Sequence, residues 1–233
     1  MQENNLPLSI RNPKGIKTLS IIIFIIDPLL FLIINMLFPR LSFFTTMVLF
    51  IFMLLGIYLA IHLYTTGCVG EKFIFLFQIR KVSYKSYKFL YNKFIFKYNN
   101  KEFKMIPFLN VTPQGIIRGL YYSWGTLDFG IPKSHLELWI KLSTTNVFFI
   151  EDPYQRVLQK YTGSLGEFMK PHRYIQEDLK EYGKNVSDLL FLGFTKRGKD
   201  KYLLAMLEWD TKPYVIAKVL DIMIEIVEKY EEK

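Results

Sequence analysis

One cysteine, Cys68, stands in the whole chain, which excludes an intramolecular disulfide and any multi-cysteine zinc site. Histidine is nearly as scarce. His62, His135 and His172 lie far apart, and only His172 has carboxylates near it, Glu177 and Asp178, in a polar stretch that reads as a solvated helical face. No G-x-G-x-x-G, phosphate loop or H-E-x-x-H occurs, and no serine stands in a nucleophile elbow. Glu151-Asp152 and Glu208/Asp210 border predicted helices, where acidic side chains complement the N-terminal dipole. An enzyme is therefore not expected, nor a cofactor, nor a metal. Acidic residues are also in deficit, 21 against 30 lysines and arginines for a net charge of +9, with much of the excess between Lys72 and Lys104.

What the chain has in plenty is apolar length. LSIIIFIIDPLLFLIINMLF (residues 19–38) and FFTTMVLFIFMLLGIYLAIHLY (residues 43–64) are separated only by Pro39-Arg40-Leu41-Ser42. About 20 apolar helical residues cross the roughly 30 Å hydrocarbon core of a bilayer, and neither run keeps the polar face of a soluble helix. The alternative, a hairpin buried in a soluble core, asks a short chain to hide both helices completely. The runs predict a two-helix transmembrane hairpin over residues 18–66 in the cell membrane, with Pro39 ending the first helix. Arg11, Lys14 and Lys17 precede the hairpin and Lys72, Arg80, Lys81, Lys85 and Lys88 follow it, against Arg40 alone in the turn. The positive-inside rule thus puts both termini in the cytoplasm, with residues 1–17 as a loose tail. No small-residue cleavage site follows the first run, so it does not read as a signal peptide.

Two of the polar residues inside the predicted membrane segment stand out, Asp27 and Asn35. Asp27, followed by Pro28, lies near the middle of the first run, where an ionisable group costs about 2.5–3.5 kcal/mol and marks a candidate functional site. Matching depths puts it opposite residues 52–56, which hold no basic partner. Three readings stay open: a protonated and tolerated acid, a partner to a group on another subunit or protein, or part of an ion or proton path. Asn35 falls near Thr45 and Thr46, which suits a hydrogen bond between the helices.

Residues 67–98 form a basic, aromatic juxtamembrane segment. Lys81, Lys85 and Lys88 in it are expected to lie on anionic lipid, at about 1 kcal/mol per cation; plain positive-inside flanks and strand faces are the alternative. A tethered chain favours lipid over nucleic acid, which is not expected as a partner. Beyond Asn99-Asn100 short strands alternate with turns: 108–111, the turn Thr112-Pro113-Gln114-Gly115, 116–124 and 127–131. Over 136–142, Leu136, Leu138, Ile140 and Leu142 share one face of a half-buried strand. A strand over 147–150 leads to Asp152-Pro153, which begins a short helix ending near Gly163.

The run VTPQGIIRGLYYSWGTLDF (residues 111–129), followed by LELWIKL, resembles the core of bacterial pleckstrin-homology-like (PH-like) domains attached to membrane hairpins. Gly115, Ile116, Gly119, Tyr122, Trp124 and Leu127 match that pattern. The resemblance implies a half-barrel of about seven antiparallel strands closed by a C-terminal helix, with no catalytic residues. In eukaryotic relatives a basic first loop binds phosphoinositides; Lys97, Lys101 and Lys104 around Asn99-Asn100 stand where such a loop would be, without the family's lysine-arginine spacing.

Residues 165–188 depart from the family pattern. They read as a helical insertion, helical from 172 to 182, and His172, Arg173, Glu177 and Lys180 there are candidates for docking a protein partner. Strands over 189–195 and 201–209 flank a basic hairpin tip whose Arg197 and Lys199 join the lipid-facing set. Val215, Ile216, Val219, Leu220, Met223, Ile226, Val227 and Tyr230 then recur at helical spacing, as the helix that closes the domain. The fold class is a membrane α hairpin followed by a cytoplasmic α+β PH-like domain over residues 99–233. Three functions fit: a membrane-anchored module binding a partner protein or anionic lipid as accessory or scaffold of a membrane complex, an immunity protein against a membrane-acting toxin, or a subunit of an oligomeric transporter or channel. A homo-oligomer through the hairpin suits the last.

Overall fold

A computed structural model describes residue 6 and residues 8–80, 82–88, 93–108, 130–132, 134–143, 147–156, 158–160 and 173–231. Lys81, His172, the start of the expected insertion and the whole of the Gly115–Leu127 motif lie outside these residues, as do the strands expected over 109–129. The chain divides into two compact units, Met1–Ile74 and Phe75–Lys233.

The first unit is helical. A single turn, α1 (Leu8–Arg11), precedes α2 (Pro13–Leu37), and α3 spans Phe43–Arg80. The first long helix starts earlier than its apolar run because Asn12 caps it: the Asn12 side chain accepts from the Gly15 N–H at 2.9 Å, and Pro13 occupies the first turn. The expected loose tail is therefore partly helix. Pro28 sits inside α2 without ending it. Ser42 opens α3, its Oγ accepting from the Thr45 N–H at 3.2 Å.

At 38 residues α3 is about 57 Å long, so a bilayer core takes only about half of it. Burial along it begins at Ala60 and continues through Thr65, Thr66 and Val69. Gly67 makes this stretch possible: a Cβ there would lie 2.6 Å from Lys17 Cγ and 3.0 Å from the Pro13 carbonyl. Lys17 and Glu71 close the same approach with an ion pair at 2.7 Å.

From Leu19 to Leu59 most of the large apolar side chains of both helices are exposed, Met36 and Phe43 each 81%. Only 6% of each helix's most apolar window is buried, so the alternative of a hidden soluble core fails. Both helices are long and apolar enough to span a bilayer, and that places the chain at a membrane.

Among the described residues, the second unit holds a seven-stranded sheet with a helix on one face. Its strands are β1 (Ser83–Lys88), β2 (Lys93–Tyr98), β3 (Lys101–Phe108), β5 (His135–Leu142), β7 (Tyr174–Ile175), β8 (Leu189–Arg197) and β9 (Asp200–Glu208). They lie in the order β1-β2-β3-β5-β9-β8-β7, while β4 (Gly130–Pro132) and β6 (Leu158–Lys160) form a separate antiparallel pair. Asn99 and Asn100 both take positive φ and supply the two-residue turn between β2 and β3, as Gly198 (φ 63°) helps turn β8 into β9. Every pairing in the large sheet is antiparallel except β7 with β8, which is parallel, so the sheet is mixed rather than wholly antiparallel as expected.

The closing helix, α6 (Pro213–Glu231), buries Ile216, Val219, Leu220, Met223, Ile226 and Val227, the face its sequence period predicts. Its polar side is tied to the sheet. Tyr98 donates to Asp221, Arg80 donates to the same carboxylate, and Glu231 accepts from Lys101 and Ser143. Cross-strand neighbours put Phe96, Phe103, Ile140, Leu203 and Phe194 in one row on this helix side. The other face carries Trp139, Tyr202, Leu204, Met206 and Phe191, packed with Ile150, Tyr154 and Tyr174.

Three further expectations need correction. The juxtamembrane segment over 67–98 is not a surface strip: α3 runs through it to Arg80, and β1 and β2 then enter the sheet. The helix from Pro153 is a single turn, α4 (Pro153–Arg156), ending at strand β6. The expected helix over 172–182 is, among its described residues, β7, a 3-10 turn over Glu177–Leu179 and the short α5 (Lys180–Gly183). Backbone pairing with β8 overrides its helical propensity, and Gln176 reinforces the placement by accepting from the Phe194 N–H at 2.9 Å.

Candidate functional site

Strand period places alternate residues on the sheet face opposite α6, and there β1, β2, β3, β5, β8 and β9 together line a concavity of about 470 Å³. Four cations line it: Lys88, Lys93, Lys104 and Arg197. Its walls are Ile106, Phe108, Trp139 and Tyr202, and its two carboxylates are Glu137 and Asp200. Trp139 and Tyr202 meet edge to face with ring centroids 5.4 Å apart, and Lys104 Nζ lies 4.7 Å from the Tyr202 ring centroid while donating to its hydroxyl at 3.1 Å.

Neither carboxylate forms an ion pair with the four cations, although the charge of Asp200 is felt at Lys104. Glu137 is only 3% exposed and accepts from Trp139 Nε1 at 2.8 Å and the Tyr154 hydroxyl at 2.7 Å, with His135 Nε2 at 3.3 Å. His135, itself buried, stacks on Phe108 at 4.7 Å. Asp200 pairs with Lys141 at 2.7 Å, a hydrogen bond that holds its carboxyl below the usual range. The amine of Lys93 is pushed down, first by burial and then by the charges of Lys104, Lys88 and Arg197. Lys88 and Lys93 stand directly opposite each other in the β1–β2 register, a like-charge placement that weakens the pairing.

The cleft gathers Lys88, Lys104 and Arg197 from the expected lipid-binding set and leaves the other described members, Lys85, Lys97, Lys101 and Lys199, elsewhere. Lys85 pairs with Glu102, whose carboxyl that bond draws down, and Lys101 pairs with Glu231. Lys97 and Lys199 are exposed outside the cleft lining. Lys93 and the Glu137 cluster were not anticipated. The signal for Lys93 was its place beside Phe94 and Phe96 in an alternating run; for Glu137 it was the tryptophan two residues on, which puts donor and acceptor on one face of a strand.

The expected partner-docking residues are less open than their charge suggests. Glu177 and Lys180 pair at 2.7 Å, and Arg173 donates to the Gly183 carbonyl. Asn35 does not bridge to Thr45 or Thr46; its amide donates to the Phe31 carbonyl of its own helix at 2.7 Å, and Ser42 takes both threonines. In an apolar surround the side-chain amide turns to the spare lone pair of the helix carbonyl one turn back. Asp27 does lie opposite Gly56, at the edge of the stretch matched to it by depth. A Cβ on Gly56 would fall 2.2 Å from Asp27 Oδ2, so the glycine is a notch for the carboxyl, and Oδ2 is buried with no hydrogen-bond partner among the described residues. No group of three or more His, Cys, Asp or Glu side chains suited to a metal occurs among the described residues. No protein-family model, curated protein or solved structure matches the chain.

Proposed function

We propose that this chain is a membrane-anchored binding protein. In this reading the α2–α3 hairpin is the anchor, both termini are cytoplasmic, and the sheet unit is a PH-like module. It binds an anionic lipid or a partner protein as an accessory or scaffold of a membrane complex and catalyses no reaction. The observation that carries the reading is the cleft: four cations from four strands line one concavity whose carboxylates are engaged by other donors, on a unit covalently joined to a bilayer-spanning hairpin. The seven strands and closing helix are compatible with a PH-like fold, and the excess of cations flanking the hairpin supports the orientation. Tagging the full-length protein, extracting it gently from its native membrane and identifying what stays bound tests the proposal. A stoichiometric protein or a co-purified anionic lipid is expected; recovery of bare monomer with neutral lipid alone would refute it.

One observation favours a second reading, a subunit of a homo-oligomeric assembly through the hairpin. Asp27 Oδ2 is buried against Gly56 without a donor among the described residues, and a contact with another copy that opened this notch would supply one. Asp27→Asn that leaves the assembly state and the activity of the complex unchanged would remove it.

A further inference from the structure

We infer that the cleft of Lys88, Lys93, Lys104 and Arg197 is a binding site for a phosphate monoester, carried by a soluble small molecule or by a lipid headgroup. The inference rests on the binding-protein reading and names the ligand chemistry of its site.

The argument is one of charge compensation. Away from the cleft, the described cations are repeatedly matched: Lys17 with Glu71, Arg80 with Asp221, Lys85 with Glu102, Lys101 with Glu231, Lys180 with Glu177. In the cleft no described carboxylate forms an ion pair with any of the four, and the hydrogen bond of Lys104 goes to a neutral phenol. Folding gains nothing from setting Lys88 against Lys93 across two strands. The cost, visible in the depressed amine of Lys93, is only partly offset by the charge of Glu102, and no carboxylate among the described residues pairs with the lysine, which leaves a place for an anion from outside.

Three features favour phosphate. Ammonium groups bind phosphate as point charges, and a dianion with several oxygens can meet cations from different strands, which a single carboxylate cannot. The concavity lies within the size range of small-ligand sites. Trp139 and Tyr202 wall it with aromatic surface that limits water and so strengthens each charge contact. The site is also not at the Asn99-Asn100 turn, where the family resemblance would put a basic loop: Lys101 beside that turn is already paired, and Lys93 is at the far end of β2.

The test is calorimetry on the full chain in a neutral detergent, titrated with inorganic phosphate and with glycerol 3-phosphate. Saturable binding is expected, weakened about tenfold by Lys93→Gln and by Arg197→Gln. Lys93→Arg should retain it, which separates loss of charge from loss of fold. Lys97→Gln and Lys199→Gln should bind as wild type. Absence of saturable binding to either probe, or equal losses in the four glutamine variants, overturns the site. The source is read in nanodiscs of phosphatidylcholine alone or with phosphatidic acid. Weaker glycerol 3-phosphate binding in the acidic discs assigns the site to a headgroup; equal binding assigns it to a soluble ligand. A chain that binds neither probe yet leaves the membrane with a stoichiometric protein overturns this inference and spares the binding-protein reading.

Discussion

Replacing Glu137 with leucine should destabilise the sheet unit by about 2–5 kcal/mol, and the sign of that effect is a contest between two terms. The carboxylate is 3% exposed, so its removal relieves a desolvation cost. Against this, its oxygens accept from Trp139 Nε1 at 2.8 Å and from the Tyr154 hydroxyl at 2.7 Å, with His135 alongside at 3.3 Å. A buried donor left without an acceptor costs about 1–3 kcal/mol, and the indole N–H has one donor position and nowhere else to send it. Two such donors outweigh the relief, because the hydrogen bonds have already repaid most of the carboxylate's desolvation.

Glu137→Gln separates the terms. It keeps one oxygen acceptor but turns an N–H₂ toward a donor, so it should lose about 1–2 kcal/mol. Thermal unfolding of the full chain in detergent, followed by near-ultraviolet circular dichroism, reads the sheet unit through its packed aromatics. At about 2–4 °C per kcal/mol for a unit of this size, the leucine variant should melt roughly 5–15 °C below wild type, with the glutamine variant between them. A leucine variant that melts with or above wild type would show that desolvation dominates and that the network is not a stabilising one.

At the cleft the expected sign is the reverse. Lys93 has a folded-state pKa below its unfolded value, so its charged form costs stability at neutral pH, and that cost is relieved as pH rises through the depressed value; Lys93→Gln should raise the melting temperature by roughly 1–3 °C while weakening anion binding about tenfold. Glu231 is biased upward by burial but held below its ordinary value by the bonds from Lys101 and Ser143, so its contribution is present above the unfolded pKa and lost as pH falls through the folded one. Glu231→Gln should accordingly narrow the gap between melting temperatures at neutral and acid pH. Gly56→Ala should destabilise the hairpin, since its methyl would collide with the Asp27 carboxyl, and Asp27→Ala should rescue it, a coupling of about 1 kcal/mol or more in a double-mutant cycle.

The hairpin, the β8–β9 turn and the closing helix were legible because each is a local matter: apolar length, a glycine at the turn and a helical period. What failed was decided by neighbours distant in sequence. The extension of α3 to Arg80 needs Gly67 to admit Lys17, a contact across 50 residues. The alternation over 136–142 correctly assigned Leu136, Leu138, Ile140 and Leu142 to one face but gave the other face to solvent. In the structure β3 and β9 flank β5, and that second face is buried too, carrying Glu137 and Trp139 into the cleft floor. Three of the four cleft cations, Lys88, Lys104 and Arg197, were recognisable singly. Their convergence was not, because it depends on the strand order that sets β3, β5 and β9 side by side and brings Arg197 of β8 to the same concavity as Lys93 of β2.

Glu137 and the four cations also constrain one another. Glu137 fixes the indole of Trp139 from below, and the ring of Trp139 meets that of Tyr202, whose hydroxyl accepts from Lys104. A chain of three contacts thus runs from a buried carboxylate to an anion-facing ammonium. The carboxylate spends its charge on neutral donors rather than on the lysines, which is the arrangement that leaves the cleft positive: an Asp or Glu free to reach Lys93 would stabilise the sheet and close the site. Stability and ligand binding therefore pull in opposite directions here. The same substitution at Lys93 should strengthen the fold and weaken the hold on the anion, an outcome that a purely structural role for the lysine would not produce.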